Sequence, residues 1–155
     1  LERIVSGNGL GHIARWLLLN HETESHPLRT IAEGYKSDQT NQNDLASLAH
    51  QAANNGDQLM SEAIQIWLSA YGSAAGDLAL QELCDGGLWI AGGTASKHLE
   101  GLKSKTFLEA FKNKGRFKPY LEKLPIMAVI DPEACLFSAA CRARLIASEM
   151  GDLTE

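Results

Sequence analysis

Asp85-Gly86-Gly87-Leu88-Trp89-Ile90-Ala91-Gly92-Gly93-Thr94-Ala95-Ser96-Lys97 is an apolar run that ends on two glycines and passes into a helical sequence. The run Leu88 to Ala91 is short, has glycine on both sides and lies between long helical patterns, so it reads as a strand buried on both faces. The glycine pair Gly92-Gly93 at its carboxyl end removes two Cβ atoms. A flat ligand can then lie directly on the backbone, and ligands of open α/β folds gather at that end of the strands. The turn is a candidate nucleotide shelf. It carries neither the Gly-x-Gly-x-x-Gly spacing of dinucleotide folds nor the Gly-Lys-Ser/Thr of a Walker loop. Alone it reads equally well as a tight strand-to-helix turn that needs positive φ.

Three further segments accompany it. Phe107-Leu108-Glu109-Ala110-Phe111-Lys112-Asn113-Lys114-Gly115-Arg116-Phe117 follows, then Leu124-Pro125-Ile126-Met127-Ala128-Val129-Ile130-Asp131-Pro132-Glu133. Glu2-Arg3-Ile4-Val5-Ser6-Gly7-Asn8-Gly9-Leu10 stands at the other end. In this order and spacing the four segments resemble the carboxyl-terminal half of the bacterial-type glucokinases, members of the actin-like sugar kinase superfamily. The resemblance runs over most of the chain and is weakest between about residues 20 and 55. Its most specific part is Lys114-Gly115-Arg116-Phe117 after the FLEAF segment.

The 155 residues amount to one domain or part of one, and a globule of this size buries roughly 70% of its unfolded surface. With 45% apolar and 21% charged residues, the composition is that of an ordinary soluble protein. A net charge of -5 argues against a nucleic-acid partner, which needs clustered Lys and Arg. No apolar stretch approaches the roughly 20 residues of a membrane span and no signal peptide opens the chain, so the expectation is a cytoplasmic protein with no membrane partner. Cys84, Cys135 and Cys141 are odd in number, sit in apolar settings and match no metal knuckle, so they are expected to be reduced and buried. His12, His21, His26, His50 and His98 share no ligand spacing, and no metal site is expected. The chain opens on Leu1, and Glu2 to Val5 enter an amphipathic pattern with no cap ahead, which is the pattern of a fragment.

Along the chain, residues 2 to 21 read as helix, broken near Gly7-Asn8-Gly9 and resuming at Leu10. The break sets the amides of Ser6 to Gly9 at a helix start, where an anion is favoured. A plain glycine-kinked cap is the competing reading. Thr23 to Asn43 is a polar excursion with a short helix around Thr30 to Tyr35. Asp44 and Asp57 are expected to cap two helices, the second running from Gln58 to about Cys84. On it Met60, Ile64, Trp67, Tyr71, Ala74 and Leu78 form an apolar stripe read as core, and Gly72 and Gly76 form a groove for another backbone. Short helices are expected over Ser96 to Leu102, Lys105 to Lys112 and Pro119 to Lys123. Leu124 to Ile130 is a second buried strand. Asp131, Pro132 and Glu133 launch a last helix through Leu145, with capping by Asp131 preferred to catalysis. The order strand, helices, strand, helix predicts a parallel pair in an α/β unit.

The resemblance implies a helix-rich half of a ribonuclease H-like (actin-like ATPase) fold, with residues 1–155 forming the carboxyl-terminal lobe and two of its parallel strands. It implies transfer of the γ-phosphoryl of ATP to the 6-hydroxyl of glucose, with Mg²⁺ held mainly through the ATP phosphates. Glu2 then matches a sugar-binding glutamate, whose carboxylate accepts from two hydroxyls at once. Ser6, Gly7, Gly92, Gly93 and Thr94 match the nucleotide side. The catalytic aspartate lies in the amino-terminal lobe, so no catalytic residue is assigned to this chain, and the chain alone is expected to be inactive. Cys135 and Ser138 replace glycines with which the family opens its last helix, and Asn8 stands where many relatives carry proline. Two other readings remain: a non-catalytic sugar- or nucleotide-responsive module of the related repressor family, and a structural or oligomerising domain with a degenerate site. A homodimer is left open.

Overall fold

The computed structural model describes residues 1–21, 25–34, 45–131 and 133–151. The cap expected at Asp44, the proline at Pro132 and much of the polar excursion lie outside them. Helices come first: α1 (Glu2–Val5), α2 (Gly7–Asn20), α3 (Arg29–Gly34), α4 (Leu45–Asn54) and α5 (Gln58–Glu82). Strand β1 (Leu88–Ile90) follows, then α6 (Gly93–Lys97), α7 (Leu99–Leu102) and α8 (Lys105–Lys112). A 3-10 turn (Gly115–Phe117), α9 (Lys118–Leu121), strand β2 (Ile126–Ala128) and α10 (Ala134–Gly151) complete the order. This is a helix-rich α/β arrangement with two parallel strands.

The two strands pair in the register Leu88 to Ile126, Trp89 to Met127 and Ile90 to Ala128. The ladder is extended by Leu88 N–H donating to the Pro125 carbonyl at 2.9 Å and Val129 N–H donating to the Ile90 carbonyl at 2.8 Å. Burial on both faces is not what forms. Ile90 is buried, but Trp89 is 66% exposed and β2 is only half-buried along its length. Alternate side chains of a strand point to opposite faces, and the core lies against the face that carries Ile90.

The long helix α5 organises the rest. Asp57 caps it, its carboxylate accepting from Met60 N–H at 2.9 Å. Trp67 and Met60 are completely buried and Tyr71 packs beside them, so the apolar stripe is core, apart from the exposed Leu78 near its end. Gly72 and Gly76 serve as the expected groove: a Cβ on either would overlap the carbonyl of Phe107 or Phe111 on α8. Both phenylalanines are completely buried against α5. A helix pair brought this close gains dispersion contacts along its length.

The Lys114 to Phe117 motif is a corner of the α5–α8 pair. Lys114 Nζ lies 2.6 Å from Asp77 and donates to Ser73 Oγ at 2.9 Å, so one ammonium ties the exit of α8 to two turns of α5. Arg116 then stacks over Phe117 at 5.0 Å.

The segment around α3 is anchored rather than loose. His26 Nδ1 accepts from Leu28 N–H at 3.1 Å, which leaves Nε2 to donate to Asp57 at 2.9 Å. Arg15 on α2 donates to the Ala32 carbonyl at 2.9 Å.

At the other end, Asp131 Oδ1 accepts from Glu133 N–H at 2.9 Å, the local turn expected before the last helix. From Cys135 to Ser148 every side chain of α10 is exposed. The three cysteines are free thiols, as expected, but Cys135 and Cys141 are exposed and Cys84 is half-buried. The apolar neighbours of Cys135 and Cys141 set up no buried environment, because none of the described side chains of α10 joins the core.

Candidate functional site

Between α2, α4 and α6 lies a cavity of about 540 Å³, lined by Gly7, Asn8, Ala46, Ser47, His50, Gly93, Thr94, Lys97 and His98. Its size falls in the range of roughly 300–1,000 Å³ typical of small-molecule sites. Each wall begins as a helix start.

The first wall is the α1–α2 break. The helix resumes at Gly7, not Leu10, because Ser6 is its cap: Ser6 Oγ accepts from Gly9 N–H at 3.2 Å. That hydroxyl is therefore engaged in the cap, while the Ser6 carbonyl accepts from Trp67 Nε1 at 3.1 Å. Gly7 and Asn8, the first residues of α2, face the cavity.

The second wall is the glycine shelf. Gly92 holds φ 98° and ψ 172°, a conformation closed to side chains bearing Cβ. Helix α6 therefore begins at Gly93, earlier than the Ser96 expected from sequence. A Cβ on Gly92 or Gly93 would meet nothing within 4 Å, and both residues are exposed, so the shelf is open. Across the cavity a Cβ on Gly7 would sit 3.7 Å from Thr94 Oγ1, so the two predicted segments face each other at contact distance.

The third wall was not expected. Ala46, Ser47 and His50 come from the first two turns of α4, and Lys97 and His98 from the end of α6. Lys97 was legible in part, since it lies four residues after Gly93 and so on the same helical face. His50 and His98 are 48 positions apart and meet only through tertiary packing. Their rings meet edge to face with centroids 4.9 Å apart, and the His98 ring also lies 4.8 Å from the Trp67 ring. Burial first, then the charges of His50 and Lys97, holds the pKa of His98 below the ordinary histidine value.

Of the residues expected to bind nucleotide, Gly7, Gly93 and Thr94 line this one cavity, and Ser6 and Gly92 are the residues immediately before two of them. Glu2 does not line it. It stands exposed on α1, where its carbonyl accepts from Ser6 N–H at 3.2 Å, one helical turn before the cavity wall. Among the described residues no group of three or more His, Cys, Asp or Glu is placed to hold a metal ion.

A family model described as Glucokinase matches residues 1–146. The chain is 34% identical over 151 residues to a glucokinase of Trichormus variabilis, covering 94% of this chain and 44% of that protein. It is 36% identical over 150 residues to a glucokinase of Synechocystis sp., covering 93% of this chain and 42% of that one. The crystal structure of a glucokinase from an Antarctic psychrotroph superposes with a TM-score of 0.63 at 26% identity, over 86% of this chain and 37% of that chain. The chain thus spans less than half the length of these relatives. Matched by the family model over nearly all its residues, it belongs to the glucokinase family.

Proposed function

We propose that this chain is the carboxyl-terminal lobe of a glucose kinase, a ribonuclease H-like half that supplies the nucleotide side of the cleft and one glutamate to the sugar. The reaction is transfer of the γ-phosphoryl of ATP to the 6-hydroxyl of glucose, in the cytoplasm. One observation carries the reading: Gly7 and Gly93-Thr94, 86 and 87 positions apart and each expected from the resemblance to face a nucleotide, meet at one open cavity.

The work of these residues is to bind and orient. The bare backbone at Gly92 and Gly93 admits a flat nucleoside close to the chain, and the Thr94 hydroxyl is placed to donate to it. The free amides at the start of α2, with the favourable end of its dipole, suit the negative charge of phosphate groups. Holding the donor in one orientation lowers the entropic part of the barrier to in-line transfer. Glu2, one turn before the capped start of α2, is offered to the sugar from the same rigid segment. The carboxylate that accepts the hydroxyl proton belongs to the amino-terminal lobe in this reading. Among the described residues the cavity lining carries no carboxylate, and in this reading Mg²⁺ would be held mainly through the ATP phosphates.

A crossed pair of substitutions in the protein carrying this chain tests the assignment. A Cβ added at Gly93 meets nothing within 4 Å, and the residue lines the cavity. Gly93→Val should raise the KM for ATP by roughly tenfold or more with the KM for glucose little changed, the signature of lost nucleotide binding. Glu2→Gln should do the reverse. Unchanged ATP kinetics in Gly93→Val would remove the nucleotide from this cavity.

A further inference from the structure

The cavity wall opposite the glycine shelf is aromatic, and it is backed into the core. His50 and His98 touch at 4.9 Å between centroids, His98 and Trp67 at 4.8 Å, Trp67 and Tyr71 at 5.5 Å, and Tyr71 and Phe107 at 5.7 Å. The five rings form a continuous ladder whose inner members, Trp67 and Phe107, are completely buried and whose outer members line the cavity. Ring contacts at these separations are favourable and directional, so the ladder holds His98 at a set position. The outermost ring is oriented as well. The Asn54 side-chain nitrogen lies 3.2 Å from His50 Nδ1, and an amide nitrogen only donates. Nδ1 of His50 is therefore the acceptor, and in the neutral ring the proton sits on Nε2.

We infer that the His50–His98 pair reads the base of the bound nucleotide, a purine seated between these imidazoles and the Gly92-Gly93 shelf. This deepens the proposed nucleotide site and rests on it. Two features of the wall favour a base over phosphate. First, among the described residues Lys97 is the one Lys or Arg lining the cavity, whereas two aromatic rings do so. Second, the depressed pKa of His98 keeps its ring neutral near pH 7, a state suited to stacking and poor at attracting phosphate. His50 Nε2–H supplies a donor that a ring nitrogen of a purine can accept. Both histidines act as specificity-determining residues, with no part in the chemical step.

Calorimetric titration of adenosine and of ATP into the protein carrying this chain tests this, comparing wild type with His50→Ala, His98→Ala and His98→Phe. Base stacking on an aromatic side chain is worth about 1–3 kcal/mol, so each alanine variant should weaken adenosine binding by roughly fivefold or more. The inference requires the same factor for ATP, because the lost contact is to the base. His98→Phe should retain adenosine binding within about threefold, since the ring is kept. His50→Ala leaves the Trp67 contact of His98 intact, so it decides the matter if His98→Ala fails to fold. In kinetics the KM for ATP should rise while the KM for glucose and kcat at saturating ATP hold. Loss confined to ATP with adenosine unaffected would place phosphate on this wall and overturn the inference, as would no loss at all. Wild-type protein that binds neither ligand would instead refute the nucleotide site itself.

Discussion

Gly92 and Gly93 are adjacent and do different things. Gly92 is required by its backbone, since φ 98° is closed to most side chains, whereas Gly93 has ordinary helical geometry and open space around it. A substitution at Gly93 therefore reports on what enters the cavity, and one at Gly92 on the turn. His98 shows a third kind of dependence, on pH. Its folded pKa lies below the ordinary value because burial, then His50 and Lys97, disfavour the cation. The unfolded chain then binds more protons as pH falls, so the His98 contribution to stability is present above the unfolded pKa and is lost as pH drops towards the folded one. Melting curves between about pH 7.5 and 5.5 should show a fall in Tm that His98→Phe makes shallower, the unfolded reference being about 6.5. Equal slopes in the two proteins would mean that burial of this ring carries no proton linkage.

Among the elements, the α5–α8 pair packs closely enough to be sensitive to a single methyl group. Gly72 and Gly76 lie against the carbonyls of Phe107 and Phe111, where an added Cβ meets backbone first, with the Lys114 side chain a further neighbour at Gly76. Replacing glycine by alanine inside a helix ordinarily gains up to about 1 kcal/mol in propensity. Here the overlap outweighs that gain, and Gly72→Ala or Gly76→Ala should destabilise by about 1–3 kcal/mol or more, the usual cost of overpacking. Urea unfolding monitored by helical circular dichroism measures it, and a midpoint at or above wild type would show that the helices separate without cost. The same pair positions the site at a distance. Trp67 on α5 holds the Ser6 carbonyl with its indole N–H and meets His98 with its ring, so one helix registers both walls of the cavity.

Over the whole molecule the apolar surface is distributed unevenly. The core gathers Leu10, Leu17, Leu18, Trp67, Phe107 and Phe111 between the helices, while Leu136 and Phe137 on α10 are 74% and 71% exposed. Trp89 on the outer face of the sheet is uncovered as well. The thiols sample this asymmetry. In the 155-residue chain, Cys135 and Cys141 should react with an aromatic disulfide reagent in a fast phase of two equivalents, followed by Cys84 more slowly. A single slow phase for all three would show α10 packed away from solvent.

What the residues alone determined is local. The cap at Asp57, the turn at Asp131, the long helix with its glycine groove, the parallel strand pair and the glycine shelf all follow from propensity, periodicity and turn chemistry within a few positions of one another. The resemblance, rather than local pattern, pointed to Gly7 and Gly93-Thr94 together, and both segments line the one cavity. What only the tertiary structure decided is which distant groups share a space. The start of α4 closes the cavity, His50 meets His98 across 48 positions, and Lys114 reaches back to Asp77, because helices crossing at contact distance bring side chains together without leaving a mark in the local pattern. Burial failed to follow from the apolar run at Leu88 for a related reason. A strand is covered on both faces only if other elements pack there, and alternation along Leu88, Trp89 and Ile90 turns the middle residue to the side opposite the core.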